Sequence, residues 1–241
     1  DEGRNVMHWR TSARFELCFV AVFVCVSAFA ATPCAAQSSR PALLRGADFQ
    51  NWDEFDVSTR VNEIFDITWV GQGRLSSELV NPARFKVGAD FNIRVWKYLL
   101  ITPSYYHFGF RSATDRFGHG NAPILALTPI YEIGRFTISD RNRFIGEIDK
   151  TGSDSFWVYG NRPKVDYRIG PARWKTSLFA WDELFWYSKY TGLTKNRVAA
   201  GGRKVLSDRL ALNFYYQRQD DDRSNPAHIN TLGVLVELRI R

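Results

Sequence analysis

The chain has 241 residues, 45% of them hydrophobic and 15% aromatic, and its 32 basic against 25 acidic residues leave a net charge of +7. This composition excludes a disordered or low-complexity chain, and the length suits one all-β domain. Cys18, Cys25 and Cys34 are the three cysteines; all precede residue 37, so the remainder has neither a disulfide framework nor a thiolate metal site.

Met7 is the single methionine, so residues 1–6 read as upstream of the true start. His8, Arg10 and Arg14 then precede an apolar run from Leu17 to Ala31, followed by Cys34-Ala35-Ala36 before Gln37. The run is shorter than the roughly 20 residues that a spanning helix needs, and the small residues suit a cleavage site. Residues 7–36 therefore read as a secretory signal peptide. Removing 1–36 takes away Arg4, Arg10 and Arg14 with Asp1, Glu2 and Glu16, three charges of each sign, so +7 stays with the mature chain. Residues 37–50 form an N-terminal segment or a first strand, and 51–241 the body of the fold.

From there the recurring pattern is strict alternation, which places successive side chains on opposite faces of a strand. Strands are expected near 52–61, 64–71, 83–97, 98–110, 121–133, 135–148, 158–169, 174–187, 194–206, 208–219 and 229–240. Many reach ten residues, longer than the usual five or six of soluble sheets and matched to a tilted bilayer crossing. Connections at 96–97, 133–135, 170–172 and 207–209 are short, whereas 111–121, 149–157, 188–193 and 220–228 are longer and polar. Short turns on one rim and long loops on the other are the habit of an outer-membrane barrel. The expected fold is an all-β, antiparallel, transmembrane up-and-down β-barrel. Eleven strands would bring the first and last together in parallel, so a twelfth is expected within 41–50, with ten strands as the alternative.

The faces differ in character. Phe85, Val87, Ala89, Phe91 and Ile93 alternate with Lys86, Asp90, Asn92 and Arg94, and Leu232, Val234, Val236, Leu238 and Ile240 oppose Thr231, Glu237 and Arg239. The apolar set is expected to face lipid. Trp52, Trp96, Tyr98, Trp174, Trp186, Tyr187 and Tyr190 cluster toward strand ends, where amphipathic rings suit a headgroup boundary. On the opposite face, Arg141, Arg143 and Glu147 share one parity, as do Arg162, Lys164, Asp166 and Arg168. In a narrow lumen such charges must pair, because an unpaired buried charge costs several kcal/mol. They form a candidate charge ladder that either braces the barrel or lines a path for a small anionic solute.

The segments RNRFIGEID, NRPKVDYRI, WDELFWYSKYTGLTKNRVAAGG and LNFYYQRQ together resemble the signature blocks of a family of small bacterial outer-membrane barrels, domain of unknown function 2490, over most of 50–240. The matching pattern comprises Arg141, Arg143 and Glu147, then Glu183 ahead of Phe185, then Asn196, Arg197 and Gly201. The resemblance implies a Gram-negative outer-membrane location, contact with outer-membrane lipids and lipopolysaccharide, and assembly by the barrel-assembly machinery; it implies no activity. It adds Glu183 and Arg197 to the ladder.

Two other function classes remain in view. A lipid-modifying hydrolase would need a Ser–His pair, and only His107, His119 and His228 follow the leader, with His119 and His228 expected in loops. A soluble exported barrel binding an apolar ligand would reverse the faces. No metal-ligand or cofactor motif occurs, AAGGRK at 199–204 lacks the phosphate-loop spacing, and export argues against a nucleic-acid partner.

Overall fold

A computed structural model describes residues 47–76, 81–111, 117–149, 155–190, 192–223 and 226–240. Expectations for residues 1–46, including the leader and its cleavage site, lie outside the described residues. Eleven strands form a closed barrel: β1 (Ala47–Arg60), β2 (Phe65–Ser76), β3 (Asn81–Trp96), β4 (Leu99–Arg111), β5 (Phe117–Ile133), β6 (Phe136–Asp149), β7 (Phe156–Ile169), β8 (Thr176–Tyr187), β9 (Leu193–Val205), β10 (Leu210–Asp221) and β11 (His228–Ile240). Neighbours in sequence pair antiparallel throughout.

The barrel closes differently from expectation. β1 pairs with β11 in parallel, in continuous register from Ala47↔His228 to Thr59↔Ile240. Twelve or ten strands are therefore corrected to eleven among the described residues. The separate strands expected within 41–50 and at 52–61 are not separate where they are described, because residues 47–60 run as a single unbroken strand. Parity demands an even count only if every seam is antiparallel, and a parallel ladder satisfies the backbone groups almost as well. As a result, β1 and β11 both run from the long-connection rim to the short-turn rim.

Register fixes which side chains point inward. On β3, Val87 and Phe91 are exposed outside the barrel while Lys86 and Asp90 point in. Phe55, Trp69, Leu125, Phe144, Leu178, Phe214 and Leu232 likewise stand on the outer surface, each more than 40% exposed. The outer face also carries polar side chains that satisfy one another: Asn161 donates to Asp140 (2.7 Å), Tyr159 to Asn142 (2.5 Å) and Asn196 to Asp182 (2.6 Å).

Inside, Val70, Tyr106, Phe108, Ile145, Val158 and Phe185 pack into one apolar cluster, extended by Phe156 and Tyr187. These residues occupy the half of the lumen nearer the long connections. The interior there carries a packed apolar cluster beside charged side chains such as Lys195 and Asp221, and burial of each apolar side chain contributes roughly 1.5–3 kcal/mol.

Glycines give the lumen room for its rings. Tyr215 on β10 is flanked in register by Gly201 and Gly233. A Cβ on Gly233 would meet the Tyr215 ring at 2.0 Å, and one on Gly201 would meet the Phe214 carbonyl oxygen at 2.3 Å. Gly73, on the outer face, has nothing within 4 Å. Gly233→Val should therefore destabilise the barrel by about 1–3 kcal/mol through overpacking, while Gly73→Val should be close to neutral. Urea unfolding of the two variants followed by tryptophan fluorescence checks this; equal losses would contradict the inward packing of Tyr215.

Candidate functional site

The inward face at mid-barrel collects charge. Across β6, β7 and β8 the register sets Arg141 beside Arg162, and the flanking pairs Asn161↔Leu184 and Lys164↔Trp181 bring Arg162 level with Glu183; Glu183 in turn pairs with Arg197, and Arg197 with Gln219. One transverse row therefore reads Arg, Arg, Glu, Arg, Gln. Arg143 enters one step above it, opposite Gly160, whose missing side chain leaves space for Phe185 and the guanidinium.

Glu183 is the centre. Its side chain is only 3% exposed, and its Oε1 accepts from Arg143 Nη2 (2.5 Å) and Arg141 Nη2 (3.0 Å), while Arg197 Nη1 lies 3.8 Å from Oε2. Arg197 also donates through Nε to Gln219 (2.7 Å). Arg162 stacks over Trp181, 5.3 Å from the ring centroid. Charge-assisted bonds of this kind are the strong ones, and a carboxylate so buried has to be met by several donors to be tolerated.

Aromatic rings brace the cations. Trp52 lies between Arg74 (3.7 Å) and Arg197 (5.2 Å), and Phe185 between Arg197 (4.9 Å), Lys195 (5.5 Å) and Arg143 (5.8 Å). Each contact is worth about 0.5–2 kcal/mol, rising as water is excluded. Trp52 is thus corrected: it is a lumen residue, 3% exposed, with its indole N–H donating to Gln50 (2.7 Å), and not a rim aromatic.

The other expected ladder members divide. Asp166 pairs with its same-strand neighbour Lys164 (3.0 Å), apart from the Glu183 cluster. Glu147 shares the face of Arg143 but lies four residues along an extended strand, roughly 13 Å away, beyond ion-pair reach. Arg143 turns sideways to Glu183 instead. Arg168 is exposed at the short-turn rim, where it donates to the Gly134 carbonyl. Lumen pairs that the sequence pattern does not single out are Glu54 with Lys86 (3.1 Å) and Gln72 (2.6 Å), Glu237 with Arg203 (2.6 Å) and Asn213 (2.7 Å), and Asp221 with Lys195 (3.2 Å). The parity of Trp52, Glu54 and Asp56 against Phe55 and Val57 carries the signal for the first.

On the histidines, His107 pairs with Asn121 (3.1 Å) and stacks on His119, and His228 pairs with Asp220 (2.6 Å). His119 and His228 lie in strands rather than loops.

Glu183→Gln should destabilise the barrel by about 3–5 kcal/mol, because it leaves guanidinium groups buried without their counter-charge, and adding Arg143→Gln should recover part of that. Glu147→Gln should change stability by less than about 1 kcal/mol. A double-mutant cycle from equilibrium unfolding checks both; additive losses at Glu183 and Arg143 would show them uncoupled.

The solved structure of the NanC porin, described as being in a rhombohedral crystal form, is similar in fold: TM-score 0.50 at 12% identity, covering 80% of this chain and 99% of that one. No curated protein matches the sequence. Residues 49–230 match the family described as Protein of unknown function (DUF2490). The match spans every strand but the first residues of β1 and most of β11, and it contains the whole Glu183 cluster. The chain belongs to that family, and its described residues form a closed, eleven-stranded, porin-like β-barrel.

Proposed function

We propose that this protein is an integral outer-membrane β-barrel whose lumen is closed at mid-height, with the Glu183 cluster acting first as an internal brace. The observation that carries this reading is the exchange of faces. Large apolar side chains, Trp69, Phe91, Phe144, Phe214 and Leu232 among them, stand exposed outside, while the carboxylate at Glu183 and the cations around it are turned inward. A soluble barrel does the reverse, since exposed apolar area on this scale has no solvent-facing explanation. Strands of 12 to 17 residues suffice for a tilted crossing, and closure leaves no unpaired edge in lipid. Polar groups on the outer face are consistent with this setting because they bond to each other.

The long connections then face outward from the cell and the short turns face the periplasm. The apolar cluster around Phe108, Val158 and Phe185 lies in the external half of the lumen, and the arginines occupy the middle. A second reading, a narrow anion path, is favoured by the arginine excess: Arg141, Arg143, Arg162 and Arg197 surround one carboxylate. The lipids and lipopolysaccharide of the outer membrane and the barrel-assembly machinery are the partners this location requires.

The protein should fractionate with outer membranes and migrate faster on gels unheated than boiled; extraction by carbonate without a heat-dependent shift would sink the membrane reading. All native cysteines precede residue 37, so single cysteines can report each face in the processed chain. Cysteine at 87 or 91 should resist a water-soluble maleimide in intact outer membranes and accept a lipid-phase probe, and ready aqueous labelling there would overturn the face assignment. In planar bilayers the purified barrel should show no large conductance steps. Discrete anion-selective steps would favour the path over the brace.

A further inference from the structure

Below the Glu183 row, toward the short turns, the lumen holds a chamber of about 250 Å³. That is several times one water's share of liquid volume, ~30 Å³. Its wall is mixed: Leu100, Ile124 and Ala126 give it an apolar side, and polar groups make up the rest. Thr102, Ser104, Thr128 and Ser139 present hydroxyls to it, and Arg141, Arg143 and Arg162 form its upper side. The Nε atoms of all three arginines are buried and have no hydrogen-bond partner. Arg141 and Arg143 are each committed to Glu183 through Nη2, whereas Arg162 is held by the face of Trp181 and forms no ion pair among the described residues. Asp90 also faces the chamber, but the Tyr106 hydroxyl donates to it.

We propose that this chamber binds a small oxyanion, a carboxylate or phosphate group, with Arg162 as its principal cation and Arg141 and Arg143 adding positive charge beside it. A planar guanidinium presents several N–H groups in a fixed fork that matches oxyanion geometry, and an unused buried donor is costly until something accepts from it. Ser104, Thr128 and Ser139 supply further hydroxyls, and the one carboxylate on the wall, Asp90, accepts from Tyr106. The inference deepens the anion reading above, resting on the arginine excess at Glu183 and not on membrane insertion or on passage through the barrel.

The test is calorimetric titration of the detergent-folded full barrel with inorganic phosphate and, separately, acetate, at ionic strength held constant with chloride. Heat-modifiable gel migration reports the fold independently. Saturable binding of either probe is expected, weakened at least tenfold both by Arg162→Gln, which removes the charge, and by Ser104→Leu, which fills the space while leaving the arginines in place. Arg218→Gln, outside the barrel and paired with Asp220 (3.2 Å), should leave the affinity unchanged. No saturable heat from a correctly folded barrel with either probe, or an affinity unaltered in both lumen variants, would overturn the proposal.

Discussion

The whole interior depends on one constraint: a carboxylate, Glu183, whose side chain is buried inside the barrel at 3% exposure. Removing such a charge from water costs several kcal/mol, and only converging donors offset this. Arg141 and Arg143 reach it from β6 and Arg197 from β9, so a single side chain on β8 ties together strands on both sides of it. The surplus positive charge this creates is then spread over aromatic faces, Trp52, Trp181 and Phe185. Those rings in turn need glycines beside them, and Gly160 supplies one such gap.

The lumen is therefore divided by chemical character as well as by height. An aliphatic and aromatic cluster lies in the half near the long connections, the arginine row crosses the middle, and a chamber of mixed polar and apolar wall lies toward the short turns. The lumen is packed in part like a small protein core, with polar groups placed where apolar ones would sit in a soluble domain. Smaller pairs, Glu54 with Lys86 and Glu237 with Arg203, repeat the same solution along the seam strands and their neighbours. Since each is only partly buried, each contributes less than the central cluster.

The strands are legible in the sequence because alternation is a local signal. β4, expected at 98–110, lies at 99–111, and β7, expected at 158–169, lies at 156–169. The lumen membership of Arg141, Arg143, Arg162, Glu183 and Arg197 follows from the same parity together with the family resemblance. The pairing does not follow. Arg143 and Glu147 are neighbours in sequence and on one face, yet a strand separates them by four extended residues, and the partner of Arg143 comes from 40 residues away. Trp52 is misread because its place near an expected strand end suggests a rim, whereas its parity with Glu54 and Asp56 puts it on the inward face that the register of β1 against β11 and β2 shows.

Adjacent residues alone carry the period of two and the sign of each face, since neither needs a distant partner to be read. They also establish that the chain beyond residue 36 relies on packing and hydrogen bonds without disulfides, because all its cysteines come earlier. How the barrel closes is a property of the folded chain: a parallel β1–β11 seam depends on contacts across almost the full length of the described residues and leaves no local mark. The same holds for the meeting of the arginines at Glu183, which leaves Arg162 to a ring and an open chamber. Which inward charges meet is set by strand register and curvature, quantities that exist only once the sheet has closed.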